Sequence, residues 1–294
     1  MLRPTLVVLA VGGLTACAGG PSSNTVVAIT ARDYALDAPD TIASGWTRFQ
    51  FTNQGQETHF VVFHHVPDDL TLDDYVSQLM PPFDSTEAAL QRGVPVEEAM
   101  QILTAGLPAW FSTVHEMGGA GLVAPGHEEQ FTVRLMPGTY VLECYVRNRD
   151  GRFHSSLGML HQLTVTQDSS TVEPPDADLA LTVSPDGIAA PGDVRAGTHT
   201  VAVHYQNQPE GLVGYDVHLA RLAEGQSAED VIPWMNWIPV TGLEAPAPVE
   251  FLGGVQEMPS GYTAYFTVNI PAGRYVWVSE LGADQGMVDT FTVD

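Results

Sequence analysis

The chain has 294 residues, enough for two domains at roughly 100–200 residues each. Its 35 acidic residues stand against 11 arginines and no lysine, a formal charge of −24 that repels phosphate backbones and argues against a nucleic-acid partner. A hydrophobic content of 44% excludes global disorder, and 28 Gly and 21 Pro argue against a helix bundle and for short strands joined by turns.

Residues 1–17 read MLRPTLVVLAVGGLTAC. One arginine precedes an apolar run over 6–14 that is too short to span a bilayer, so a secretory signal peptide is expected. Its ending, Leu14-Thr15-Ala16-Cys17, resembles the bacterial lipoprotein lipobox. That resemblance implies cleavage before Cys17, lipid on its sulfur, and an extracytoplasmic protein tied to a membrane, periplasmic or on the outer membrane or cell surface. By resemblance to Gram-negative lipoproteins, Ala18 in place of the Asp retention signal favours the outer membrane. Residues 18–24 form a flexible tether. With Cys17 lipidated, Cys144 has no partner for an internal disulfide, and a lone thiol outside the cytoplasm is either a buried, inert side chain or held as a thiolate.

Two related units are expected, at 25–167 and 178–294, joined by a polar linker at 168–177. Gly118-Gly119, Gly126, the FTV at 131–133, Gly138, Tyr140-Val141 and Cys144 recur at the same spacing as Gly253-Gly254, Gly261, the FTV at 266–268, Gly273, Tyr275-Val276 and Ser279. The preserved order points to duplication. Within each unit, period-two stretches such as 49–52 and 131–135 predict half-buried strands, with turns at Pro137-Gly138 and Ala272-Gly273. An all-β fold of two sandwiches follows. Residues 68–110 differ: Thr71 with Asp74, and Asp84 with Glu87, read as two helix starts, so a helical insertion is expected there. Ser227 with Asp230 predicts a shorter counterpart in the second unit.

The chemistry gathers in the first unit. His59 begins an apolar strand, Cys144 ends another, and a polar loop then brings His154 and Met159. Taken singly, each has an ordinary structural role. Together they make one thiolate, two imidazoles and a thioether, the ligand set of a blue-copper electron-transfer site. The pattern resembles the cupredoxin superfamily: Asn53 and Gly55 in a turn, His59 entering a strand, Pro137-Gly138-Thr139-Tyr140, Cys144, His154 and Gly158-Met159. The resemblance implies tandem Greek-key β-sandwiches, one type 1 copper bound by His59, Cys144, His154 and Met159, and a bracing role for Asn53. One departure is the Cys144–His154 gap of nine residues, longer than in small electron carriers of that superfamily.

His64 and His65 are adjacent on a strand and cannot chelate as a pair. His115 and His161 are read as structural or surface groups, with His161 a substitute ligand at most. The second unit carries Ser279 at the Cys144 position, Tyr215 at the His59 position and His218 opposite Val62; of the four ligands it keeps only Met287, so it is expected to be metal-free. Trp234, Met235 and Trp237 are either its core or a contact patch. Tandem units of this kind also occur in copper oxidases and nitrite reductases, but no His-x-His pair is present and Glu143 and Tyr145, not His, flank Cys144. The expectation is therefore no enzyme but an electron carrier, with an unknown redox partner that the acidic field biases towards positive charge. Two alternatives stand beside it: copper storage or delivery, and a metal-free envelope binding module.

Overall fold

The computed structural model describes residues 26–211 and 213–294; the signal segment, the tether and Cys17 lie outside them. The first unit runs β1 (Val26–Arg32), β2 (Ala35–Asp37), β3 (Thr41–Asn53), β4 (His59–Val66), α1 (Leu72–Gln91), α2 (Val96–Gly106), β5 (His115–Val123), β6 (Glu128–Leu135), β7 (Gly138–Glu143) and β8 (Leu160–Ser169). The second runs β9 (Leu179–Ser184), β10 (Gly187–Ala189), β11 (Gly197–Tyr205), β12 (Val217–Leu222), β13 (Glu250–Val255), β14 (Thr263–Ile270), β15 (Gly273–Val278) and β16 (Val288–Val293).

The fold is all-β, two tandem β-sandwich units with a helical insertion in the first. The strands form two layers that both cross from one unit to the other. One layer has the order β2-β1-β3-β6-β14-β11-β9-β10, the other β8-β7-β4-β5-β13-β12-β15-β16, and the first residues of β3 also pair with β8. Phe131 pairs with Phe266, its counterpart in the duplicated FTV, and Ala120 with its counterpart Val255. The repeat seen in the sequence is thus a local two-fold whose axis passes through both central ladders. Register supports the same alignment: Val62 faces Glu143 and Gly119, while His218 faces Val278 and Gly254. The duplicated Gly-Gly pairs have a physical cause here. Gly119 and Gly254 have φ of +142° and +147°, and a Cβ on either would collide with a carbonyl of the neighbouring strand, Val61 or Val217.

Between the layers, Phe49 stacks on Phe131 at 4.9 Å and meets Phe63 edge-on at 5.1 Å. All three rings are fully buried, and truncating any one to alanine would cost about 3–5 kcal/mol. This core fixes the β3, β4 and β6 positions on which the site depends.

The insertion departs from expectation in one respect. Thr71 caps α1 as predicted, its hydroxyl accepting from Asp74 N at 3.1 Å and Asp74 reaching back to Thr71 N. Asp84 and Glu87, however, do not start a second helix. The chain stays helical through Pro81 and Pro82 and breaks only at Gly93, φ +82°, and Pro95. Asp84 Oδ1 accepts from Ser156 Oγ at 2.7 Å, and Glu87 is turned inward as an ion-pair partner, so neither residue is free to cap. The Ser227–Asp230 capping box is present in the second unit. Trp234 and Met235 are buried in that unit's core, whereas Trp237 faces the insertion, its ring 6.3 Å from Phe83. Among the described residues, no helix is long and apolar enough to cross a membrane.

Candidate metal centre

β4 opens with His59, β7 hands over to Cys144, and the loop before β8 carries His154. Their side chains converge. His59 Nδ1 and His154 Nδ1 are 3.2 Å apart, and Cys144 Sγ is 3.8 Å from the first and 3.7 Å from the second. All three residues are fully buried. Donors about 2.0–2.3 Å from one tetrahedral ion stand about 3.3–3.7 Å apart, so the spacing matches three ligands of a single ion.

The outer nitrogens decide the tautomers. His59 Nε2 lies 2.8 Å from Asp33 Oδ1, and His154 Nε2 lies 2.9 Å from Glu57 Oε2. A carboxylate accepts, so both Nε2 atoms carry the hydrogen and both Nδ1 lone pairs point inward at each other. Two facing lone pairs in a dry site repel unless a cation lies between them. The donor set therefore fits a copper ion.

Electrostatics prepares the rings but not the thiol. Burial, reinforced by His59, pulls His154 down to about 3; burial also lowers His59, against the opposing pull of Asp33. Burial pushes the Cys144 thiol up to about 12. At neutral pH both rings are already neutral, and only Cys144 must lose a proton on ligation. We expect the apparent Cu(II) affinity to rise about tenfold per pH unit between about pH 6.5 and 9, one proton being released per ion bound. Competition titrations across that range check it; a flat profile contradicts it.

Asn53 sits under this arrangement. Its Nδ2 donates to Glu57 O and Val123 O, each at 2.8 Å, and its Oδ1 accepts from Gly55 N at 2.8 Å. The Asn-x-Gly turn thereby places Glu57 and His59. A Cβ on Gly55 would fall 2.6 Å from His59 Nε2 and closer still to Asp33, so the turn needs glycine for the carboxylate to reach the ring. Met159 is fully buried beside the site, its O accepting from Cys144 N at 3.3 Å and its N donating to His154 O at 2.9 Å. His161 is not brought in; its Nε2 faces Pro39 O at 3.3 Å. His65 stacks on Tyr140, and His64 points to the opposite face of the strand, as alternation requires.

Asp33 and Glu57 escaped the sequence reading. Glu57, two residues before His59, carried a faint signal; Asp33 carried none, because it reaches the site from the β1–β2 turn. Outer partners of this kind are worth about 10–100-fold in metal affinity. Asp33→Ala is expected to weaken copper binding by that factor while leaving the far-ultraviolet spectrum unchanged, as read by chelator competition and circular dichroism.

The long Cys144–His154 loop also acquires a reason. Arg147, 1% exposed, donates to Glu87 Oε2 from Nε and Nη2 at 3.0 and 2.8 Å, and from Nη1 to the carbonyls of Trp237, Pro239 and Gly242. The extra residues let the ligand loop hook onto the insertion and the second unit together.

A second cluster lies in the second unit, where His218 Nε2 is 2.7 Å from Asp216 and 3.8 Å from Glu280. Here Leu122 N donates to His218 Nδ1 at 3.0 Å. A backbone N–H can only donate, so Nδ1 holds the lone pair and Nε2 the hydrogen. The nitrogen facing the carboxylates has nothing to offer an ion, and the group reads as a buried hydrogen-bonded network.

No family model and no curated protein matches the chain. Solved structures similar to it include a dithionite-reduced auracyanin from Roseiflexus castenholzii, with 24% identity over 50% of this chain and 99% of that one and a TM-score of 0.29. Auracyanin A, a "blue" copper protein from Chloroflexus aurantiacus, has 17% identity over 48% and 98%, with a TM-score of 0.29. A copper-containing nitrite reductase from Thermus scotoductus has 12% identity over 92% of this chain and 61% of that one, with a TM-score of 0.24.

Proposed function

We propose that the protein is a blue-copper-type electron-transfer protein, holding one copper ion through His59, Cys144 and His154 with Met159 as the weak axial ligand. The observation that carries this is the convergence of two Nδ1 lone pairs and a thiol, with both outer nitrogens fixed by carboxylates. Copper in such a set supplies one-electron chemistry between Cu(I) and Cu(II). The chain's own part is to hold the donors still and dry. Asp33 and Glu57 orient the rings, Asn53 fixes the turn that carries them, and Arg147 pins the loop.

The anchor belongs to the same reading: lipid on Cys17 would tether the protein outside the cytoplasm. A cationic redox partner is favoured, because Asp33 and Glu57 are the groups between the imidazoles and solvent and the whole chain bears −24. Adding Cu(II) to the purified protein tests the core claim. One ion per chain with intense blue absorption and reversible reduction is expected. Folded protein that takes up copper without that absorption would refute the type 1 assignment, and rapid surrender of Cu(I) to a chelator would favour copper delivery.

A further inference from the structure

The network around His218 holds two carboxyls and too few donors for both to be ionised. Asp216 and Glu280 have side chains 4% and 0% exposed. Leu122 N donates to His218 Nδ1, so the ring is neutral and keeps a single hydrogen, on Nε2. Asp216 Oδ2, at 2.7 Å, accepts that hydrogen, and Asp216 Oδ1 accepts from Glu280 N at 2.8 Å. Both oxygens of Asp216 are thus met as a carboxylate requires. Glu280 is different. Its Oε2 accepts from Tyr145 OH at 3.2 Å, but Oε1 is buried, stands 3.8 Å from the same Nε2, and has no hydrogen-bond partner.

Two adjacent carboxylates in a dry site need a counter-charge. The groups that face Glu280 offer none. His218 is neutral by its tautomer, and Asp216 is itself an acid. Tyr145, from the ligand loop, is a phenol whose proton burial and Glu280 hold more tightly than usual. Glu257, beyond β13, is a third buried carboxyl; its Oε2 accepts from Gly214 N, and burial, with Glu116 and Asp216, keeps it well above its ordinary range. Burial, and then Asp216, does the same to Glu280. The hydrogen missing at Oε1 is therefore its own.

The place of this group in the fold gives it a role. In the duplication Glu280 stands at the Tyr145 position and Asp216 at the Phe60 position. The first unit fills those places with a packed aromatic pair, ring centroids 4.5 Å apart, and the second fills them with two acids. The Tyr145–Glu280 contact joins counterparts, so it lies at the local two-fold, and the Leu122–His218 bond crosses the same seam.

We propose that Glu280 is a protonated carboxylic acid that donates to Asp216, and that this one hydrogen is a pH-sensitive latch on the seam between the two units. An unfolded glutamate loses its hydrogen near about pH 4.3. Folded Glu280 keeps it to higher pH. Its contribution to stability is complete below about pH 4.3 and is lost as the pH rises through the folded value, where two facing carboxylates oppose the seam. Neither acid is a copper ligand, so the latch stands apart from the copper reading.

Urea denaturation of the full-length protein without added metal, from pH 5 to pH 9, tests it. Glu280→Gln puts an NH2 where the acid has its OH, keeps the acceptor for Tyr145, and cannot ionise. It is expected to gain on the parent as pH rises, by up to about tenfold in the folding equilibrium constant per pH unit, and to be the more stable form at pH 8. Glu257 and His64 are common to both proteins and cancel in the difference. Asp216→Asn makes the same change of charge but leaves one amide oxygen to serve two donors, so it should be about 10–100-fold less stable at every pH. Protection of the Leu122 amide from hydrogen exchange should decline with rising pH in the parent and hold in the Glu280→Gln form. A Glu280→Gln protein that is less stable than the parent at pH 8, or that runs parallel to it, overturns the proposal. So does an Asp216→Asn protein as stable as Glu280→Gln, or Leu122 protection that declines equally in parent and Glu280→Gln.

Discussion

Cys144→Ser is expected to remove the blue absorption entirely and to weaken Cu(II) binding by at least about 100-fold, beyond the loss of any outer partner. The chain already shows that serine fits this position. Ser279 occupies it in the second unit, fully buried, with its N donating to Met287 O as Cys144 N donates to Met159 O. The substitution should therefore fold at a cost of no more than about 1 kcal/mol, because the hydroxyl meets the backbone N–H groups of Phe60 and Val146 as donors and an Nδ1 lone pair as acceptor. Ser279 Oγ accepts from Asp216 N, and serine at 144 would meet the equivalent donor, the backbone N–H of Phe60, which already faces the Cys144 sulfur. Visible spectroscopy and thermal melting of the same preparation separate the two effects. Blue colour surviving in the serine form would mean that the thiol is not a ligand.

Arg147→Ala is expected to destabilise the protein by about 3–5 kcal/mol, the usual penalty for breaking a buried ion pair from one side. It strands the Glu87 carboxylate, 6% exposed, and leaves the carbonyls of Trp237 and Gly242 without this donor, while Pro239 O keeps Gly242 N. Arg147→Lys should recover only part of this, because an ammonium cannot reach Glu87 and the carbonyls of Trp237 and Gly242 in one planar fork. Replacing Arg147 and Glu87 together by methionine should recover more than the lysine form does, since no charge is then left unpaired. Urea denaturation measures the series. Copper affinity should fall in parallel in the alanine form, because Arg147 and His154 share one loop. A stable alanine variant with full copper affinity would show that the hook is idle.

What the sequence made legible was what ordered motifs encode. His59 and Cys144 could be brought together with His154 because the first two stand at the ends of β4 and β7 and the third in the loop that follows β7. Thr71 with Asp74 marked a helix start because capping is local. Asp84 with Glu87 looked the same but failed, because a distant guanidinium claimed Glu87. Asp33, Arg147 and the Asp216–Glu280 pair were invisible for a related reason. Their partners are tens of residues away, and a lone charged residue on a turn carries no sign of whom it will meet. The duplication was readable, but the pairing of its two copies through Phe131–Phe266 and Ala120–Val255 was not, since ladders between units leave no local pattern.

That pairing has a consequence for how the polypeptide can be divided. Severing it within 168–177 would not liberate two self-sufficient halves. Each half would bare the margins of β5 and β6, or of β13 and β14, as unsatisfied amide rows ready to recruit a stranger. Fragments made this way should therefore clump, or re-associate on mixing.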